Sequence, residues 1–184
     1  MEIRWKAFPL HPETPEEGVT LEELFAGRNI DLAQSRARLK AVAEELGLPL
    51  GERKKSYNSR LAQELAKWAE SKGKGDEYHD AVFRAYFVEV KNIGKVDVLA
   101  AVAESAGLPA EEARQVLLSR TFKEAVDSDW VRSRELGITA VPTFVMDHRA
   151  VVGAQPYEVL EQFLRNNGVK EKGGSRKPKG KRSA

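Results

Sequence analysis

Apolar and polar positions change period along this chain, and the changes predict its elements. Residues 2–8, "EIRWKAF", alternate and put Ile3, Trp5 and Ala7 on one face, which predicts a strand. The proline-rich "PLHPETPEEG" that follows predicts a loop. Thr20 with Glu23 three residues on is a capping-box pattern, opening a short helix through "LEELFAG" that Gly27 ends. From Asp31 to Leu46 the period is helical, with Leu32, Leu39, Val42, Ala43 and Leu46 on one side and Gly47 as the stop. Spacings of three and four then continue: Leu61, Leu65, Trp68 and Ala69 fall in register, as do Tyr78, Val82, Phe83, Tyr86 and Phe87. The stretches "KVDVLAAVAESAG", "PAEEARQVLLS" and "FKEAVDSDWVRSRELG" predict three more helices, so no sheet is expected between residues 52 and 136, and no repeat period joins the helices into a solenoid. Only near the end does the period shorten again. "AVPTFVMD" and "AVVG" predict a hairpin around the turn "DHR", and Gln155-Pro156 starts a final helix with proline at its first position.

Composition narrows the class. At 184 residues, 41% hydrophobic and 32% charged, the chain suits one ordinary domain and is too polar for a membrane span. Residues 1–10 lack the unbroken apolar core of a secretory signal, so the cytoplasm is the expected compartment. Zero cysteines remove disulfides, thiolate metal sites, iron–sulfur clusters and thiol catalysis from the chain as given. The whole-chain charge of +2 is unevenly held: residues 170–184, "KEKGGSRKPKGKRSA", carry +6, which leaves −4 on the body. Such a segment, nearly devoid of apolar side chains, is expected to be a disordered basic tail. Counterion release would let it touch nucleic acid, but one basic run without aromatic interleaving supports that poorly.

Candidate chemistry is sparse. Asp129 and Ser133 share a helical face with Phe122, Val126 and Leu136, the pattern of a polar pair near the sheet, and a satisfied carboxylate accounts for it better than a catalytic one. His11, His79 and His148 lie in a loop, a helix and a turn without ligand spacing, so no metal site is expected. The Glu-Glu pairs read as solvated faces, and Gly73-Lys74-Gly75 is too short for a phosphate loop.

The order strand, helices, hairpin, helix resembles a thioredoxin fold interrupted by a helical insertion. The blocks "AYFVEVKNIGKVDVLAAVAESAGL", "LGITAVPTFV" and "VVGAQPYEVLEQFL" are similar to the DsbA family of thioredoxin-fold oxidoreductases, and specifically to its cytoplasmic, FrnE-like branch, over residues 2–166. The fold class this implies is α+β, thioredoxin-like, with a large all-helical insertion. The domain would span 1–169, with the insertion at about 20–136, the carboxy-terminal hairpin and helix at about 139–167, and the tail beyond. The family opens with a strand and a Cys-x-x-Cys helix before a strand like "EIRWKAF". By that comparison the chain is amino-terminally incomplete, and a start upstream of Met1 is expected.

The resemblance also implies a site. Pro142 takes the place of the family's cis-proline, and Val141 precedes it with a backbone expected to pair with an extended peptide or glutathione. Val141, Pro142 and Thr143 are the candidate substrate- or peptide-binding residues; no catalytic residue, metal ligand or cofactor is assigned. Two alternatives stay open: a redox-inactive relative that binds a peptide or protein partner, and a nucleic-acid-associated module acting through the tail. A protein or peptide substrate along the proline edge is the expected partner. If the chain does begin at Met1, the unpaired edges of "EIRWKAF" and "PTFVMD" imply a homodimer by strand pairing.

Overall fold

The structure, a computed structural model, describes residues 3–170, and these divide into two compact units. The larger is Lys6–Gly137; the smaller joins the residues up to Trp5 to those from Ile138 onward. The expected disordered tail at 170–184 lies, save for Lys170, outside the described residues.

In the larger unit the elements follow the apolar periods closely. They are β1 (Val19–Thr20), α1 (Leu21–Leu24), α2 (Leu32–Glu45), β2 (Lys55–Ser56), α3 (Arg60–Ser71), α4 (Gly75–Phe83), α5 (Val96–Ser105), α6 (Ala110–Ser119) and α7 (Lys123–Glu135), with one π-helical turn, Arg84–Val88, continuing α4. The capping box at α1 forms: the Thr20 hydroxyl accepts from Glu23 N–H at 3.1 Å, and the Glu23 carboxylate accepts from Thr20 N–H at 2.8 Å. Asp31 caps α2 by accepting from Gln34 N–H at 2.9 Å. Gly47 and Gly107 end α2 and α5 in the left-handed region, where a side chain would be strained.

The core is built by α3, α4, α5 and α6. Leu65, Trp68 and Ala69 of α3 meet Tyr78 of α4, Leu99, Val102 and Ala103 of α5, and Ala113 and Leu117 of α6, all buried. The spacing of three and four that predicts these helices is thus the spacing that brings each stripe inward. Tyr78, wholly buried, donates from its hydroxyl to the Ala62 carbonyl at 3.3 Å, and burial pushes its ionisation well above the ordinary range.

Three expectations need correction. Residues 3–8 form no strand: Ile3 and Trp5 are exposed, and the Ala7 N–H donates to the Asp129 carboxylate at 3.0 Å instead of to a ladder. Alternation supplies the faces of a strand, but it does not by itself place the backbone in a ladder. Second, the insertion is helical save for β2, which pairs antiparallel with β1 through Val19↔Ser56 and Thr20↔Lys55. Two residues are too few for alternation to register. What sets the pair is Gly18, at φ 72°, where an added Cβ would sit 2.5 Å from the Ser56 carbonyl. Third, the apolar stripe of α2 is largely uncovered, with Ala43 buried but Leu39, Val42 and Leu46 exposed.

The smaller unit carries the hairpin and last helix where the sequence sets them: β3 (Thr143–Met146), β4 (Arg149–Val152) and α8 (Tyr157–Asn166). The strands pair antiparallel, Thr143↔Val152 to Met146↔Arg149, around a turn at Asp147 and His148 in which Asp147 has φ 53°. Pro156 is the residue before α8 begins, one position earlier than its expected place inside the first turn.

Candidate functional site

The chain leaves α7 at Gly137, in the left-handed region, and runs without regular structure to Val141. The Val141–Pro142 peptide bond is cis. On the far side of it the hairpin is tied at its open end: the Pro142 carbonyl accepts from Gly153 N–H at 2.7 Å, one step beyond the ladder pair Thr143↔Val152. The Thr143 hydroxyl donates back across the proline to the Ala140 carbonyl at 2.6 Å, closing a tight loop over Val141 and Pro142. Gln155 closes the other strand's exit by donating from Nε2 to the Val152 carbonyl at 2.7 Å. Proline has no N–H to offer, and the Thr143 hydroxyl and Gln155 Nε2 are engaged within the hairpin's own ends.

The Val141 N–H and C=O enter no hydrogen bond among the described residues, and the residue is 44% exposed. A donor and an acceptor on one exposed residue, next to a proline that cannot donate, can receive one residue of an extended peptide. Of the three candidate residues, then, Val141 offers unpaired backbone groups, Pro142 fixes the bend, and Thr143 spends its hydroxyl on holding it. Phe144, Val145 and Val152 leave apolar surface on the same hairpin.

The polar clusters of the larger unit are of another kind. Asp129 and Ser133 are buried, as their helical face implies. They do not act as a pair: Ser133 donates to the Trp130 carbonyl at 2.8 Å, while Asp129 takes Lys67 at 2.9 Å, Lys6 at 3.1 Å and the Ala7 N–H. Burial pushes the Asp129 carboxyl up, but these donors outweigh it and hold it below the usual range. A carboxylate so fully donated to is a structural anchor.

A second buried carboxylate is not evident from the sequence. Glu64 is 1% exposed and receives Arg60 Nε at 2.6 Å, with Arg120 Nε and Nη2 at 2.8 and 2.7 Å. Arg60 also stacks over Trp130 at 4.5 Å and pairs with Asp127 at 2.7 Å. Desolvation raises the Glu64 carboxyl, and the two guanidiniums more than reverse that, leaving it lowered. The spacing of Arg60 and Glu64 on one helix was a legible signal; Arg120, 56 residues away, gave none.

The remaining candidates stay apart. His11 lies in the loop before β1, His79 stacks on Phe83 at 5.4 Å, and His148 sits in the hairpin turn. Among the described residues no three His, Cys, Asp or Glu side chains converge as metal ligands would. Gly73-Lys74-Gly75 joins α3 to α4, with Lys74 donating to Glu77 at 2.8 Å.

The comparison with known proteins matches the profile of the DSBA-like thioredoxin domain to residues 1–165. The chain belongs to that family. The short strands and many helices described above are accordingly those of a DsbA-like thioredoxin fold. The probable DsbA oxidoreductase of Streptomyces coelicolor superposes with a TM-score of 0.78 at 30% identity, over 95% of this chain and 76% of its own. The uncharacterized protein YwbO of Bacillus subtilis is 29% identical over 167 residues, 89% of this chain and 81% of YwbO. A shorter stretch of 85 residues, 42% of this chain, is 33% identical to 28% of the ClpXP adapter protein SpxH of Halalkalibacterium halodurans. This DsbA-like chain is oxidoreductase-like by resemblance and has no cysteine. No helix among its described residues is long and apolar enough to cross a membrane.

Proposed function

We propose that this DsbA-like chain binds an extended segment of a protein or peptide along the Val141–Pro142–Thr143 edge, as part of thiol–disulfide exchange whose cysteines come from outside these 184 residues. The observation that carries the reading is Val141: an exposed residue with both backbone polar groups unengaged among the described residues, beside a cis-proline, at the mouth of a hairpin. Strand addition needs a donor and an acceptor on one residue of the receiving edge, with apolar surface close by to hold alternate side chains. Thiol–disulfide exchange needs a thiolate, and none of the side chains here can supply one.

The test is a titration of the isotopically labelled protein with a cysteine-free decapeptide rich in Val and Thr, followed by amide resonances. Saturable shifts at Val141 and Thr143 are expected; saturable shifts confined to the larger unit would overturn the assignment. Measuring the mass of the protein made from its own locus then decides whether an upstream segment brings the Cys-x-x-Cys helix. The FrnE-like branch, carried by the three sequence blocks, and a cytoplasmic location belong to the same proposal, the latter checked by cell fractionation.

Binding without chemistry is the second reading. It is favoured by the absence of cysteine and by the partial likeness to SpxH, a protein named for its adapter role. A locus product of 184 residues with peptide binding and no oxidoreductase activity would select it.

A further inference from the structure

We propose that α2 is a self-association helix, pairing antiparallel with α2 of a second copy of this chain through Leu39, Val42 and Leu46. This inference is independent of the reading of the proline edge. Leu32, Ser35, Leu39, Val42 and Leu46 follow one another at alternating intervals of three and four, the a and d positions of a coiled-coil seam. The fold covers one side of the stripe only: Ala43 is buried, Leu32 is half-buried, and Arg36 on that side is held by Glu22 of α1 at 2.8 Å. The rest is open, with Leu39 52%, Val42 44% and Leu46 64% exposed. Three large aliphatic side chains in one row on a capped helix form a patch that a partner helix fits.

Charge identifies the partner as another α2. The open edge of the seam carries Arg38 and Glu45, one heptad apart, and neither enters an ion pair or side-chain hydrogen bond among the described residues. In an antiparallel pair like edges meet. A two-fold axis beside Val42 sets Arg38 of each copy opposite Glu45 of the other, while Leu39, Val42 and Leu46 interleave across the axis. In a parallel pair Arg38 would face Ala43 of the partner and Glu45 would fall beyond the end of the partner's α2, so neither would be matched. The helix is thus complementary to its own reverse, the condition for an isologous dimer. With barely two heptads the interface is small, so a dimer dissociating in the micromolar range or weaker is expected.

Sedimentation equilibrium of the full chain, from about 1 to about 500 µM, reads the outcome. Wild type is expected to dimerise reversibly. R38E and E45R, each of which sets like charges opposite one another, should raise the dissociation constant about tenfold or more, and the double swap R38E/E45R should return it to within about threefold of wild type. L39K/L46K should leave only monomer. These positions are exposed, so circular dichroism should show the fold unchanged in every variant. A wild type that stays monomeric throughout, or a dimer that the single swaps do not weaken or the double swap does not restore, would overturn the proposal; the latter result would move the interface to another face, such as the hairpin edges.

Discussion

At the scale of single residues, the body of this chain invests its buried charge in architecture. Glu64 is the clearest case, since two arginines from different elements converge on one desolvated carboxylate. Its folded-state pKa is depressed, so its contribution to stability is present above the ordinary carboxylate range and is lost as pH falls through the lowered value. Acid unfolding should therefore steepen below about pH 4.5, and Glu64→Gln should flatten that limb while lowering stability near neutrality. Arg120 allows a sharper test, because it sits in the left-handed region, φ 54°, while making its bidentate pair. Arg120→Ala loses the pair and keeps the backbone penalty, at a cost of about 3 kcal/mol. Arg120→Gly loses the pair but relieves the penalty, and denaturant melts should place it about 1 kcal/mol above the alanine variant. Equal melts would mean that the turn after α6 is indifferent to conformation.

Elements were legible wherever local chemistry decides them. Caps, stops and stripes name α2, α5, α6 and α7 to within a residue or two, the stripe of α3 is in place although that helix begins four residues later than its helical stretch, and the Val-Pro-Thr step with its two short apolar runs marks β3 and β4. What the sequence could not show was partnership. "EIRWKAF" has the alternation of a strand, yet residues 3–8 take no strand conformation. The stripe of α2 reads as a buried face and is mostly open, because a period tells which side is apolar and not what covers it. Arg120 closing on Glu64 depends on how α6 returns past α3, a relation absent from local sequence. Since α2 leans little on the rest of its unit, its cap should count for more than in a packed helix. Asp31→Ala is expected to cost about 1 kcal/mol locally, read as faster amide exchange confined to the first turns of α2, with the global melt nearly unchanged. A loss of global stability of the same size would mean that α2 belongs to the cooperative core.

For the molecule as a whole, the two units differ in what they could sustain alone. The larger one encloses its own core: Leu65, Tyr78, Leu99, Ala113 and Leu117 are buried among helices that all lie between residues 60 and 119, and Val126 of α7 is buried with them in the same unit. Leu99→Ala there should cost about 2–5 kcal/mol, since a wholly buried leucine leaves both a lost transfer term and a cavity. Among its described residues the smaller unit has a two-stranded hairpin and one helix, with Phe144, Val145, Val152, Tyr157 and Val159 exposed and no residue of α8 buried. A lone two-stranded hairpin is marginal in water, and here Phe144, Val145 and Val152 stay exposed in a unit that also holds α8. A fragment of residues 6–137 is therefore expected to fold, with strong helical circular dichroism and a cooperative thermal transition, whereas residues 138–170 alone should show neither. If the 6–137 fragment melted without cooperativity, the helices would owe their packing to the rest of the chain. The larger unit would then be a dependent layer and not a separate folding unit.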